Sequence, residues 1–259
     1  MGNEHLLVQK IGHVLSLKLN RPEKLNAFSP SMIRGIIDAL EEAQRNTDIR
    51  VICLSGAGRA FSAGGDVTTM SGAKPNNVYD HIGMMNELVH SIKEIEKPVI
   101  AVVHGFAAGA GFNLALACDL IVAANDAKFA MSFAQVGLIS DGGGLFFLPR
   151  LIGIHRAKEL LFNAEPIDAE YAHRLGIVNK LYPLEQLESG ALEYASRLAK
   201  GPIKAYGMLK KIADQSLTSS LDDILERERV TQAMMVTTED HQEGVRAFVE
   251  KRQPSFNGL

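Results

Sequence analysis

The chain has 259 residues, 46% of them hydrophobic and 22% charged, with a formal net charge of −3. That length can bury a sizeable core, as one large domain or one domain with a small appendage. The mild acidity without a Lys/Arg run argues against nucleic acid as a partner, and no apolar run approaches the roughly 18 residues of a membrane span.

The first ten residues lack the basic region, apolar core and cleavage site of a signal peptide, and Leu6 stands where a myristoylation motif needs a hydroxyl. Cys53 and Cys118 lie in apolar runs and read as small buried hydrophobes. Two such cysteines make no disulfide framework, so a reducing, cytoplasmic setting is expected.

Residues 6–9 and 14–19 alternate as two strands turning at Gly12-His13. After the loop 20–28, Ser29 is placed to cap a helix that has Pro30 at its first position. Met32, Ile33, Ile36, Ile37, Leu40 and Ala43 then recur at helical spacing. Residues 51–54 read as a buried strand, followed by a glycine-rich turn over 55–66. The segment 70–79 is polar and rich in breakers, and reads as a loop. Ile82, Met85, Val89 and Ile92 mark a further amphipathic helix leading to a strand over 99–103.

The stretch 102–119, VVHGFAAGAGFNLALACD, runs from that strand through Gly105, Gly109 and Gly111 into an apolar helix. Strand, glycine turn and helix start bring unpaired backbone N–H groups and a helix dipole to one point. Such a point suits a phosphate or a transient oxyanion, although glycines that merely permit a tight turn would look the same. A fourth strand over 120–123 leads to a third glycine-rich turn within 127–153. Repeated strand, turn and helix units without a long linker indicate α/β architecture. From residue 184 strands disappear: Leu187, Ala191, Leu192, Ala195 and Leu198 form one helical stripe, further helices span roughly 202–216, 221–235 and 239–251, and Val230, Met234 and Met235 leave apolar surface to cover.

Familiar signatures are missing. GAGRAF at 56–61 lacks the third glycine of a dinucleotide fingerprint, no GxxxxGK or GxSxG occurs, and no histidine pair has metal-ligand spacing beside a carboxylate. His104 ends a strand and reads as a hydrogen-bonded histidine. Three turns remain, at Ala63, at Ala110 and at Asp141. Asp141 could cap a helix over 142–147. Its neighbours Ile139, Phe146 and Phe147 would also desolvate a carboxylate there, raising its pKa toward that of a useful base.

With these turns in view, the chain resembles the crotonase, or enoyl-CoA hydratase/isomerase, superfamily. The matching segments are LNRPEKLNAF (19–28), GRAFSAGGD (58–66), KPVIAVVHGFAAGAGFNLALACD (97–119), KFAMSFAQVGLISDGGG (128–144), LPRLIG (148–153) and EGVRAFVEKRQPSF (243–256). The resemblance implies an α/β spiral of ββα units over 1–199 and a C-terminal helical oligomerisation region over 200–259. It further implies a homotrimer or homohexamer, an acyl-CoA thioester substrate and no cofactor or metal beyond that substrate. Ala63 and Ala110 would donate N–H groups to the thioester oxygen. Lys24, Ala27 and Asp66 would lie near the CoA nucleotide, and Phe248 and Lys251 would reach CoA from an adjacent subunit.

Hydratases of this family use two glutamates, which fall where this chain has Asn113 and Phe133. A phenylalanine cannot transfer a proton and an asparagine amide is not a usable base, so the standard hydration mechanism is not expected. Asp141 matches instead the aspartate of the family's isomerases, and its surroundings most resemble the 1,2-epoxyphenylacetyl-CoA isomerase group. The expected activity is therefore an enoyl-CoA isomerase. The alternatives are hydration with water held by Asn113 and Asp141, or an idle acyl-CoA- or RNA-binding protein.

Overall fold

The computed structural model describes residues 2–66, 72 and 74–258. The chain opens with an antiparallel hairpin of β1 (Leu6–Ile11) and β2 (Val14–Leu19), turning at Gly12 with φ +58°. The helix α1 (Pro30–Arg45) starts as its sequence predicts: the Ser29 hydroxyl accepts from the Met32 N–H at 3.2 Å, and Pro30 occupies the first turn. Its six periodic apolar residues are all buried. The strand β3 (Val51–Gly56) follows, and then α2 (Pro75–Glu94).

The start of α2 corrects the sequence reading of a loop over 70–79. Pro75 supplies a helical first turn behind Lys74, so 75–79 are helical. Residues 70, 71 and 73 lie outside the described residues.

The next strand, β4 (Val99–Val103), is buried along its whole length. Between Gly105 and the helix α3 (Ala110–Ala117) lies a short strand, β5 (Phe106–Ala108), that the glycines hide in the sequence. The pattern then repeats. After β6 (Leu120–Ala124) come β7 (Lys128–Ala130), a 3-10 turn over Ser132–Val136, and the helices α4 (Gly144–Ile152) and α5 (Ile154–Asn163). A two-residue strand β8 (Ile167–Asp168), α6 (Ala169–Arg174), β9 (Lys180–Tyr182) and α7 (Leu184–Leu198) complete this part. The chain ends in α8 (Ile203–Ser216), α9 (Leu221–Met235) and α10 (Glu239–Val249).

Two sheets result, one of six strands in the order β1-β2-β3-β4-β6-β9 and one of three in the order β5-β7-β8. Beyond the first hairpin, every pairing in the larger sheet is parallel. Its central strands are accordingly apolar runs without alternation, covered on both faces. Each of β4 and β6 is followed by a strand of the smaller sheet and then by a helix. After β3, Ser62 forms a parallel bridge to Ala107 and takes the same place. This is the expected ββα repeat, and its consequence is that the three glycine-rich turns stack side by side.

The C-terminal helices are tied back by buried charge. Lys210 on α8 reaches Asp119 at 2.8 Å and the Ile92 carbonyl at 2.6 Å. Arg50 donates to the carbonyls of Ala199, Phe256 and Asn257. By contrast, α9 buries none of its residues, and Leu221, Leu225, Val230 and Met234 all face outward.

Candidate active site

The first two turns interlock through the backbone. Ser62 donates to the Phe106 carbonyl at 3.1 Å, and its own carbonyl accepts from Ala108 at 2.9 Å. Gly64, at φ +85°, then passes so close to the second turn that a Cβ there would stand 2.8 Å from the Ala110 nitrogen. Only glycine combines that backbone conformation with that approach.

The Ala63 N–H is not available to a ligand as the sequence reading expects. It donates to the Leu25 carbonyl at 2.9 Å, because the loop 20–28 folds over this turn. Leu25 and Asn26 both adopt positive φ, and the buried Asn26 amide donates to the carbonyls of Ala57 and Ala60, which fixes that loop. The Gly64 N–H is also taken, by the Ser62 hydroxyl at 3.0 Å. Gly65 is the next residue, and its N–H makes no hydrogen bond among the described residues. The Ala110 N–H, at the first position of α3, is likewise unpaired. The donor pair offered by these turns is thus Gly65 and Ala110.

Beyond this pair sits Phe133, partly buried. Its ring edge stands 3.7 Å from where a Cβ on Gly109 would be, so it walls the second turn with carbon.

The third turn joins through Asn113, which is 0% exposed. Its Nδ2 donates to the Ser140 hydroxyl at 2.9 Å and to the Asp141 carbonyl at 2.8 Å. Since a backbone carbonyl only accepts, this second bond fixes which way the amide points. Gly144 leaves room for the arrangement, as a Cβ there would fall on Asn113 Oδ1 and Ser140 Oγ. Asp141 is not the side-chain cap of α4. Gly143 holds that position without a side-chain bond, and Asp141 contributes only its carbonyl, to the Gly144 N–H at 3.0 Å.

The Asp141 carboxyl is consequently left to the site. Its Oδ1 is buried and accepts no hydrogen bond from the described residues. Burial, unopposed by any cation, pushes its pKa up to about 6. Such a group is half ionised near pH 6 and largely a carboxylate at neutrality, and it can both take and return a proton.

Lys24, Ala27 and Asp66 come together around Arg21, which the sequence reading missed. The Arg21 guanidinium donates to the Ala27 carbonyl at 2.9 Å and pairs with Asp66 at 3.5 Å, both side chains about 14% exposed or less. Lys24 is solvent-exposed on the neighbouring 3-10 turn. Phe248 is 85% exposed near the end of α10, and Lys251 follows it at φ +55°. No hydrogen bond or ion pair among the described residues joins these two to the three turns. The buried cysteines Cys53 and Cys118 are unpaired, with thiol pKa values pushed up to about 12 by desolvation.

These turns stand together on a ββα spiral, and comparison with known proteins gives the family. A family model described as enoyl-CoA hydratase/isomerase matches residues 9–258, so the chain belongs to that family and has the crotonase fold. It is 39% identical to the 1,2-epoxyphenylacetyl-CoA isomerase of Escherichia coli, over 95% of each chain. It is 35% identical to the trans-2-decenoyl-[acyl-carrier-protein] isomerase of Streptococcus mutans, over the full length of both. Among solved structures, an enoyl-CoA hydratase from Polaromonas superposes with a TM-score of 0.94 at 36% identity, covering 97% of this chain and 99% of that one. The protein is an acyl-CoA enzyme of a family whose members carry both isomerase and hydratase names.

Proposed function

We propose that this enzyme is an enoyl-CoA isomerase in which Asp141 shuttles one proton. In a 3-enoyl thioester, the carboxylate takes the proton from C2 and the electron pair moves into the thioester, forming an enolate. The same carboxyl then returns the proton to C4, on the same face, and the double bond moves from C3–C4 to C2–C3. The N–H groups of Ala110 and Gly65 hold the enolate oxygen, and the α3 dipole adds to their effect. Donors fixed in advance stabilise the charged intermediate more than the starting carbonyl, and losing one in a comparable site costs about 3–4 kcal/mol. CoA enters only as part of the substrate. Lys24, Ala27 and Asp66 bind its nucleotide end, with Arg21 organising them, and Phe248 and Lys251 of a neighbouring copy reach it within a trimer or a pair of trimers.

The observation that supports this reading is the desolvated carboxyl of Asp141, whose Oδ1 has no partner among the described residues, on a turn that Asn113 ties to the helix carrying the unpaired Ala110 N–H. Isomerisation needs one such group, whereas hydration also needs a water held and deprotonated at C3. Phe133 offers carbon where a second acid would stand. Asn113 is buried with both amide N–H groups engaged, which counts against its holding that water. Asp141→Asn should abolish turnover of a 3-enoyl-CoA while acyl-CoA binding, read by calorimetry, stays within about threefold. Turnover at the wild-type rate in this variant would refute the mechanism.

A further inference from the structure

Asn113 is wholly buried and Ser140 is 7% exposed, yet between them they make a polar link inside an otherwise apolar wall. Such a link carries a cost: Asn113 Oδ1 is buried and accepts no hydrogen bond among the described residues. A leucine at 113 would avoid that cost but leave the Asp141 carbonyl and the Ser140 hydroxyl with fewer donors.

The geometry explains what the link does. The turn 137–144 connects a 3-10 turn to α4 and contains glycines at 137, 142 and 143, all at positive φ. Its backbone is therefore weakly determined by its own residues. One bond from Asn113 fixes the carbonyl of Asp141 itself, and the other fixes the side chain of the residue before it. Asn113 stands on α3, the helix whose first N–H, from Ala110, is one of the two oxyanion donors. A single amide thus ties the peptide of the base to the element that carries the oxyanion donor.

We infer that Asn113 and Ser140 are positioning residues that hold Asp141 in register with the oxyanion donors. The inference rests on Asp141 being the base. Neither residue transfers a proton. Asn113 sets where the carboxyl stands relative to the substrate carbons, and Ser140 keeps the amide turned toward the Asp141 carbonyl. A shift of about 1 Å in a catalytic group can lower a rate about a hundredfold. Loss of the link should therefore lower kcat and leave the remote CoA contacts, and hence KM, in place.

The test compares Asn113→Ala, Ser140→Ala and Asp141→Asn in the same 3-enoyl-CoA assay, with kcat followed from pH 5 to 9. The inference expects Asn113→Ala to lower kcat by about ten- to a hundredfold with KM within about twofold. It also expects the acid limb of its pH profile to move to lower pH, because an untied turn exposes the carboxyl to water. Ser140→Ala, which keeps the bond to the Asp141 carbonyl, should show a smaller loss in the same direction, and Ser140→Thr should recover part of it. If Asn113→Ala does not fold, the two Ser140 variants carry the test. An inactive Asp141→Asn beside Asn113 or Ser140 variants with wild-type kcat and an unmoved acid limb would overturn the inference and leave the proposed function standing. So would a loss in which KM rises in step with the fall in kcat and the acid limb stays put. An active Asp141→Asn would instead remove the proposed function, and the inference with it.

Discussion

Asp141→Asn should make the protein more stable while making it inactive, and the gain should depend on pH. Asparagine keeps the shape of the side chain but is neutral at every pH. The aspartate is ordinarily half ionised at 3.8, and burial raises that to about 6. Because the folded-state pKa is raised, the carboxyl imposes no electrostatic penalty below pH 3.8, where it is protonated both folded and unfolded. As pH rises from about 4 to about 6, the unfolded chain ionises first and the folded state loses relative stability. Above pH 6 the full penalty is present. The interval spans roughly two pH units, each worth about 1.4 kcal/mol, which gives about 3 kcal/mol. Urea unfolding at fixed protein concentration should show the advantage of the variant growing by about that amount between pH 4 and 7, then levelling. In a chain of this size it corresponds to about 6–12 °C in Tm. A difference between the two proteins that is flat across this range would show that the carboxyl is not desolvated, and would refute the argument for a base poised near neutrality.

Three further perturbations test other parts of the account. Gly64→Ala would force a Cβ to within 2.6 Å of the Ala108 carbonyl and 2.8 Å of the Ala110 nitrogen at a positive φ. Turnover should fall about 10²–10³-fold, as for a lost oxyanion donor, and an unchanged kcat would detach Ala110 from the chemistry. Lys210→Ala leaves Asp119 buried without its closest cation, 2.8 Å away, and should cost about 3–5 kcal/mol in chemical denaturation. Limited proteolysis should then cut first within α8–α10. Val230→Asp with Met234→Asp charges the uncovered face of α9 and should convert the proposed trimer to smaller species in analytical ultracentrifugation, whereas an unaltered mass would place the assembly surface elsewhere.

The larger elements are legible in the sequence because their causes are local. Ser29 and Pro30 begin a helix whose stripe from Met32 to Ala43 decides which face is buried, and the apolar runs at 51–54 and 99–103 read as buried strands, as the structure has them. The small strands are not, since β5 and β7 have three residues each and owe their pairing to partners far along the chain. At Pro75 a breaker in the middle of a loop-like segment is instead the start of a helix.

Within the candidate site, the three turns and Asp141 are visible as glycines and a carboxylate in apolar company. The occupancy of individual N–H groups is not. Ala63 loses its N–H to Leu25, thirty-eight residues earlier, so the unpaired donor is displaced two residues along, to Gly65. Arg21 and the two bonds of the Asn113 amide also depend on contacts across the fold. An asparagine inside an apolar helix carries a sequence signal, but its partners do not.

The most direct test of the central claim is a paired incubation in heavy water, with a 3-enoyl-CoA and a 2-enoyl-CoA supplied separately to the enzyme and the products weighed by mass spectrometry. The account predicts that the 3-enoyl-CoA becomes its positional isomer and that the 2-enoyl-CoA gains no water. Addition of one heavy water to the 2-enoyl-CoA, with no shift of the double bond in the other substrate, would contradict it and make the enzyme a hydratase.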